Sequence, residues 1–509
     1  MRVPCCELSV RHMPRAQSTL DREVCYRALR TRDSRFDGHF YTAVVSTGIF
    51  CRPVCPARTP KLENCLFLPS AGAAHQLGFR PCLRCRPELA PGVAGWRGTV
   101  NTVSRALSLI GNGEFEAGGI DHLAERLGVG ARQLRRLFDR HVGASPVSVV
   151  QAQRILFANK LLAETSLNMT EIALAAGFGS VRRFNHVFAR SYGRPPSALR
   201  RARHAQVAAG SGVTLKLPFS PPYDWASMLA FLATRAIPGV ELVEHERYRR
   251  SFALDAATGS VEVWLPAQQR HLLARIETSD IAALSGIVAR LRSVFDLDAD
   301  SVAIDAHLMR QPSLAARVRV RPGIRVPGAW DAFEIAVRAV LGQQVSVKAA
   351  TTLASRLVLA FGRPLPGASD ARRLFPTPQQ LAKADLTGIG LTRARATSLN
   401  ALAGSVVADP ALLRGSATLD ETVAKLAALP GLGAWTAQYI AMRAMREPDA
   451  FPASDLGLMR ALETAQGRPS AATLTRLAEP WRPWRAYAAL RLWMQADFQL
   501  LATAPRTGL

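Results

Sequence analysis

Four cysteines fall in two close pairs, Cys51 with Cys55 and Cys82 with Cys85. Three residues lie inside the first pair, two inside the second, and 26 between the pairs. Two short chelating loops brought together by an intervening fold are the usual plan of a structural zinc site. Tetrahedral thiolate ligation also suits a small module with little core of its own. The residue types alone also admit two redox pairs or buried free thiols. Four thiolates on one zinc ion carry a formal charge of about −2, which leaves the sulfurs electron-rich enough to attack an electrophilic carbon. Arg52, Arg58, Arg80, Arg84 and Arg86 surround the quartet and can hold a phosphate against it. Cys5, Cys6, Cys25 and Cys65 lack such partner spacing and are read as bystanders.

A second constellation lies near the carboxyl end. Leu429-Pro430-Gly431-Leu432-Gly433 is expected to turn between two helices. Its glycines permit the tight turn, and the exposed amides, with the positive end of the next helix, can bind a phosphate directly or through a metal ion. Asp455 follows 22 residues after Gly433. An aspartate that close to such a turn resembles the loop-plus-aspartate pattern of the helix-hairpin-helix DNA glycosylase superfamily, which implies a carboxylate that stabilises an oxocarbenium-like sugar, by the charge argument that applies to glycosidases. It can also simply cap the helix that begins LGLMRAL, and the two roles are compatible. Trp435, Tyr439, Trp484 and Trp493 supply electron-rich rings that attract a cationic base. Ordinary core packing is the plainer reading of these aromatics and suits Trp484 best.

Between the two constellations, apolar residues at Ile120, Leu123, Leu127, Leu134 and Leu137 are spaced for helices, and Gly128 interrupts them. This is a helix-turn-helix pattern whose second helix carries Arg132, Gln133, Arg135 and Arg136. A similar unit recurs at 170–192 around Gly177 and Gly179, with Ser180, Arg182, Arg183 and Asn185 near the start of its second helix. Residues 181–203 hold seven arginines and no acidic residue. The plainer alternatives are a protein-binding module and a merely solvated basic face.

These residues must be positioned by several folding units. A chain of 509 residues is too long for one core and suggests roughly three or four domains. The formal charge of +25 and a pI near 10.9 favour a polyanion partner, either nucleic acid or an anionic membrane surface. No apolar run is long enough to span a membrane, and the first residues lack the apolar core of a signal peptide. We therefore expect a cytoplasmic protein, where clustered cysteines bind metal more often than they form disulfides. Composition divides the chain into a leader (1–18), a cysteine-bearing module (19–92), an arginine-rich helical region (99–203), a mixed strand and helix region (213–326) and a mostly helical region (327–503). PELAPGVAGWRG (87–98) and AQVAAGSG (205–212) read as linkers. TLKL, RRSFAL, SVEVWLP and HLLARIE read as strands, and 281–294 as a helix.

Three resemblances sharpen this picture. RFDGHFYTAVVSTGIFCRPVCPARTP…GFRPCLRCRP resembles the amino-terminal domain of the Ada adaptive-response family. The resemblance implies irreversible transfer of a methyl group from a DNA methylphosphotriester to Cys51, with Cys55, Cys82 and Cys85 as the remaining zinc ligands. It also implies DNA-backbone contacts from Thr47, Arg58 and Arg80. Methylation would remove one negative charge from a DNA-facing surface and so tighten DNA binding. AAGFGSVRRFNHVFARSYGRPPSALR resembles the AraC-family DNA-binding domain, which implies contact with promoter DNA and with RNA polymerase. From about 213 to 500 the chain resembles the AlkA-type 3-methyladenine glycosylases of the helix-hairpin-helix superfamily. The motifs that carry this are PPYDWASMLAFLATRA, RPGIRVPGAWDAFEIAVRAVLGQQVSV, LPGLGAWTAQYIAMRA and PWRPWRAYAALRLW.

This last resemblance implies that Asp455 is catalytic, that Trp435, Tyr439 and Trp493 line the base pocket, and that a monovalent cation sits at the Gly431–Gly433 hairpin. Trp435 stands where bifunctional members carry a lysine, so no Schiff base is expected. No cysteine follows Cys85, so neither an iron–sulfur cluster nor the second methyl acceptor of full-length Ada proteins is expected. Gln344 occupies the place of the family's leucine wedge, a departure in polarity at the position that fills the gap of a flipped base. The fold expected is multidomain: a small α/β zinc module, an all-α double helix-turn-helix, an α+β antiparallel-sheet domain and an all-α helix-hairpin-helix domain. The function expected is alkylation repair of double-stranded DNA by hydrolytic base release, fused to a methyl-accepting regulator. The alternative is a methylation-responsive transcription regulator whose glycosylase-derived half only binds DNA.

Overall fold

The computed structural model describes residues 21–91, 101–111, 115, 119–201, 212–368, 370–415 and 418–502. The leader expected at 1–18, most of both expected linkers, and Cys5 and Cys6 lie outside the described residues.

The amino-terminal module begins with α1 (Arg22–Thr31), whose first turn is capped by the Asp21 carboxylate accepting from the Glu23 amide. A four-stranded sheet follows, with β1 (Tyr41–Val44), β2 (Ile49–Cys51), β3 (Cys65–Leu68) and β4 (Arg80–Pro81) in the order β3-β1-β2-β4. α2 (Ala71–Gln76) packs on this sheet. The parallel pairing of β2 with β4 sets Phe50 beside Pro81, and the Cys82 amide donates to the Phe50 carbonyl at 3.0 Å. That one ladder brings two cysteine pairs, far apart in sequence, to the same sheet end.

Two helix-turn-helix units follow. The first runs from α3 (Asn101–Gly111) through α4 (Gly119–Arg126) and α5 (Ala131–His141), with Gly128 at φ +67° in the turn. α6 (Pro146–Glu164) leads to α7 (Met169–Ala175), α8 (Val181–Tyr192) and α9 (Pro196–Arg201), with Gly177 at φ +76° between α7 and α8. Both turns need the left-handed conformation that glycine adopts without a Cβ clash. Asn168 and Glu171 form a reciprocal capping box at the start of α7, and Ser180 caps α8.

The cores are shared between modules. Tyr41, Phe50 and Leu68 of the four-stranded sheet join Leu123, Leu134 and Phe138 in one cluster that takes in Val149 and Val150 of α6. Ile155, Leu161 and Leu162, further along α6, join Phe184 and Phe188 and then Leu215, Tyr248 and Phe252 of the next region. Each helix-turn-helix unit thus completes its core with a different neighbour, and α6 bridges the two.

The third region is a five-stranded antiparallel sheet. Its strands are β5 (Val213–Pro218), β6 (Glu241–Glu244), β7 (Arg247–Leu254), β8 (Ala257–Trp264) and β9 (His271–Thr278), in the order β5-β9-β8-β7-β6. Four strands and the helix at 284–294 match the sequence expectation, and the short edge strand β6 is an addition. α10 (Trp225–Ala233), α11 (Leu284–Val294), α12 (Ser301–Leu308) and α13 (Pro312–Val320) complete the region.

The rest is helical: α14 (Ala332–Leu341), α15 (Val347–Phe361), α16 (Pro378–Ala382), α17 (Arg393–Ala408), α18 (Leu419–Ala427), α19 (Ala434–Arg443), α20 (Leu456–Ala461), α21 (Ala471–Ala478) and α22 (Arg485–Ala502). A buried ion cluster fastens α14 to the sheet. Arg338 bridges Glu241 and Glu334, and Arg250 bonds Glu334 at 2.8 Å. Two apolar clusters flank α19: one contains Leu341, Leu399, Leu432 and Ile440, the other Met442, Phe451, Trp481 and Leu492.

Candidate active sites

The four cysteine sulfurs lie within 4.8 Å of one another, and Cys55 Sγ is 3.9 Å from Cys82 Sγ. Sulfurs at the corners of a tetrahedron with bonds of about 2.3 Å stand about 3.8 Å apart, so the quartet fits one zinc ion. All four thiols are free and mostly buried. Contact with Cys55 pushes the Cys51 thiol up, and contact with Cys51 pulls Cys82 down. The five arginines expected to hold a phosphate divide in two. Arg58, Arg80 and Arg84 are exposed, and Thr47 with them. Arg52 and Arg86 are spent internally: Arg52 pairs with Asp37 and donates to the Cys85 carbonyl at 3.0 Å, while Arg86 bonds Glu88 at 2.9 Å. The Arg52 amide donates to Cys85 Sγ at 3.3 Å. The Asp37–Arg52 clamp was missed because nothing in the spacing of Asp37 marks it. Cys25 and Cys65 are buried away from the quartet, as expected of bystanders.

On α5, Arg132, Arg135 and Arg136 are exposed while Leu134 and Phe138 face the core. On α8, Arg182, Arg183 and Asn185 are exposed and Phe184 and Phe188 are buried, with Ser180 exposed at the cap. Each second helix therefore presents a polar, cationic face to solvent.

The third site is built on α19. Gly431, at φ +79°, sits in the turn between α18 and α19, and a Cβ there would overlap the Ser398 hydroxyl. Gly433 is the N-cap of α19, and no side chain caps its first-turn amides. Two residues on, Trp435 donates its indole N–H to Asp455 Oδ2 at 2.9 Å. The Trp493 indole, from α22, donates to Asp455 Oδ1 at 2.8 Å, and the Leu458 amide reaches the same oxygen at 3.0 Å. Asp455 is thus the N-cap of α20 and the centre of a two-indole cradle at once. Three N–H donors suit the acceptor-only form of a carboxylate.

Tyr439, one turn after Trp435, stacks on it at 5.4 Å and 12°, and lies 6.2 Å from Trp493. Trp435, Tyr439, Trp493 and Asp455 therefore converge, whereas Trp484 packs edge-on to Tyr487 in the core. Behind the rings lies buried Arg443, unnoticed in the sequence. It donates to the Tyr439 hydroxyl at 2.7 Å and sits over the Phe231 ring at 4.8 Å. Burial lowers its pKa, as expected for a cation held mainly by a phenol and by backbone carbonyls. Its position four residues after Tyr439 on a helix was the available signal. Gly457 belongs to the same site, for a Cβ there would stand 3.0 Å from Asp455 Oδ1 and 3.2 Å from Trp493 Cδ1. Gln344 is exposed, at φ +56°, in the loop between α14 and α15. Among the described residues, no helix is long and apolar enough to cross a membrane.

Four families match successive parts of the chain. They are described as the metal binding domain of Ada (residues 24–88), a helix-turn-helix domain (123–202), the AlkA N-terminal domain (214–331) and an HhH-GPD superfamily base excision DNA repair protein (337–483). The chain is 42% identical over 478 residues to the "Probable bifunctional transcriptional activator/DNA repair enzyme AlkA" of Mycobacterium tuberculosis (strain H37Rv), covering 93% of this chain and 96% of the relative. It is 35% identical to "DNA-3-methyladenine glycosylase 2" of Escherichia coli (strain K12), over 56% of this chain and 98% of that protein. The carboxyl-terminal 56% shares the fold of a 3-methyladenine DNA glycosylase from Archaeoglobus fulgidus, at TM-score 0.50, 22% identity and 99% coverage of that structure. The chain belongs to the family of bifunctional transcriptional activator/DNA repair proteins of the AlkA type, with an Ada-type metal-binding domain, a helix-turn-helix region and a helix-hairpin-helix glycosylase fold in one polypeptide.

Proposed function

We propose that the carboxyl-terminal half releases alkylated bases from duplex DNA by hydrolysis, with 3-methyladenine as the type substrate. The observation that carries this reading is the Asp455 carboxylate held by the indoles of Trp435 and Trp493 beside the Tyr439 ring. A purine alkylated on a ring nitrogen is a cation, and stacked aromatic faces attract it. As the bond from C1′ to the base nitrogen breaks, the base takes the electron pair and leaves neutral. Asp455 lies against the positive charge that develops on the sugar. Water then forms the new bond to C1′ and gives its proton to solvent. The uncapped amides at Gly433 and the turn at Gly431 anchor a DNA phosphate, directly or through a monovalent cation.

In the amino-terminal half, Cys51, Cys55, Cys82 and Cys85 hold a zinc ion, which when bound keeps the sulfurs ionised. Cys51 takes the methyl group of a phosphotriester: the sulfur–carbon bond forms, the carbon–oxygen bond breaks, and the phosphodiester leaves as an anion. Arg58, Arg80 and Thr47 steady the DNA backbone beside it. The exposed faces of α5 and α8, with Arg132, Arg135, Arg136, Ser180, Arg182, Arg183 and Asn185, read a promoter, and methylation of Cys51 tightens that contact by removing a charge. RNA polymerase is the partner such an activator recruits.

Two experiments test the halves separately. Purified protein incubated with methylated duplex DNA should release free methylated purines, identified by mass. Peptide mass analysis of the same protein should show one added methyl group on the Cys51 peptide and on no other cysteine peptide. Release without methylation would leave a glycosylase tethered by its zinc module, and methylation without release a regulator alone.

A further inference from the structure

The loop between α14 and α15, residues 342–346, is exposed at its apex. Gln344 and Val345 are both exposed, Val345 to 37%. Gln344 adopts φ +56°, a left-handed conformation that non-glycine residues rarely take without a structural reason. The neighbouring residue supplies that reason. Gln343 points inward, and its side-chain nitrogen donates to the Gly431 carbonyl at 2.8 Å and to the Thr436 hydroxyl at 2.9 Å. Both N–H bonds of the carboxamide are thereby used. From the other side, the Arg395 guanidinium of α17 donates to the Gln343 carbonyl at 2.6 Å. Three bonds from the hairpin and from α17 pin one residue, and the chain must turn sharply at the next.

The partners are informative. Gly431 is the left-handed residue of the hairpin turn, and Thr436 is buried directly after Trp435, whose indole reaches Asp455. One carboxamide therefore joins the exposed loop, the phosphate-facing turn and the first turn of the helix that shapes the pocket.

We propose that Gln343 is a positioning residue that makes the Gln344–Val345 apex and the hairpin one rigid element. The apex then enters the duplex at a fixed distance from the anchored phosphate. This rests on the proposed base-release function and on the place of Gln344 at the position of the family's wedge, which fills the gap of an extruded base. Val345 supplies the apolar surface that Gln344 lacks, and the clamp at Gln343 offsets the weaker hold of a polar apex on the base stack. Extrusion costs unpairing and unstacking energy, least for a mismatched base. A loop that has lost its tether fails most where that cost is highest.

The test uses the full chain and Gln343→Glu, which keeps the shape but turns an acceptor toward the Gly431 carbonyl. Single-turnover release is measured for one alkylated base in a matched duplex and in a mismatch. The expected loss is at least tenfold in the matched duplex and clearly smaller in the mismatch. An equal loss on both substrates would overturn the proposal, since general damage to the pocket does not depend on pairing. Thr436→Val removes one of the two acceptors and should show the same pattern more weakly, which keeps the test alive if Gln343→Glu does not fold. A 2-aminopurine beside the damaged base reports extrusion without chemistry. Its fluorescence should rise with the parent protein and rise less with either variant. If the parent extrudes but releases nothing, the hydrolytic reading fails while the clamp is still decided by this signal. If the variants extrude as the parent does, the clamp is wrong.

Discussion

The indole N–H of Trp493 donates to Asp455 Oδ1 at 2.8 Å, although 38 residues separate the two in sequence. Trp435 holds the other carboxylate oxygen, so one acid is gripped by rings from α19 and α22. The carboxylate cannot drift from the aromatic wall, and its orientation is set before any DNA arrives. Preorganised charge of this kind stabilises a cationic transition state without reorganisation at the moment of reaction.

Gly457 leaves the space that this grip requires. Its substitution by alanine places a methyl group 3.0 Å from Asp455 Oδ1 and 3.2 Å from the Trp493 ring, tighter than ordinary contact. Gly457→Ala should lower single-turnover base release about tenfold while raising helix propensity in α20, so thermal stability should change little. Kinetics beside a thermal melt checks this, and an unchanged rate would mean that Trp493 moves freely.

The four-cysteine site should govern the stability of the amino-terminal third. Its sheet completes its core with α4, α5 and α6, so loss of the metal exposes more than one small module. Chelation, or Cys55→Ser, should release one zinc per chain and lower the first thermal transition by several degrees. Base release should survive at low temperature, because among the described residues the pocket on α19 shares no core cluster with the cysteine module. Zinc content and calorimetry are the measurements.

Acid should weaken the seam between β6 and α14. Glu241 is buried, which alone would raise its pKa, but Arg338 and Arg250 outweigh burial and bring it from 4.5 to about 2. A carboxyl depressed in the folded state contributes stability that is complete above about pH 4.5 and lost as the pH falls toward 2. Glu241→Gln should therefore cost about 3–5 kcal/mol at neutral pH, because it leaves Arg250 and Arg338 to share the single carboxylate of Glu334, with one buried positive charge uncompensated. The gap between parent and variant should narrow below pH 4.5 in melts taken across pH. A gap independent of pH would mean that Glu241 acts through packing alone.

Much of this was legible because the informative signals are local. A cysteine pair three residues apart, a glycine-rich turn before an amphipathic helix, and arginines on a helix face all report chemistry within one or two turns of chain. The same locality let the capping role of Asp455 be read beside the catalytic one proposed for it. Contacts made across the fold left no such trace. Arg52 and Arg86 look like phosphate ligands by proximity to the cysteines, yet Asp37, Glu88 and Glu164 consume them. α6 reads as part of one helical region, yet its two ends lie in different cores. Gln343 lies beside Gln344, the residue that the sequence singles out, and only the fold reveals which of the two is tethered.

The central claim is that the cradled carboxylate performs base release, and Asp455→Asn tests it most directly. Asparagine caps helices as well as aspartate does, so α20 should form and the melt should move little. Parent and variant are incubated with methylated duplex DNA and the free bases are counted. The account predicts release of methylated purines by the parent and a loss of about a hundredfold or more in the variant. Equal release by both proteins, or none by either, would contradict it and leave the carboxyl-terminal half as a DNA-binding element of a regulator.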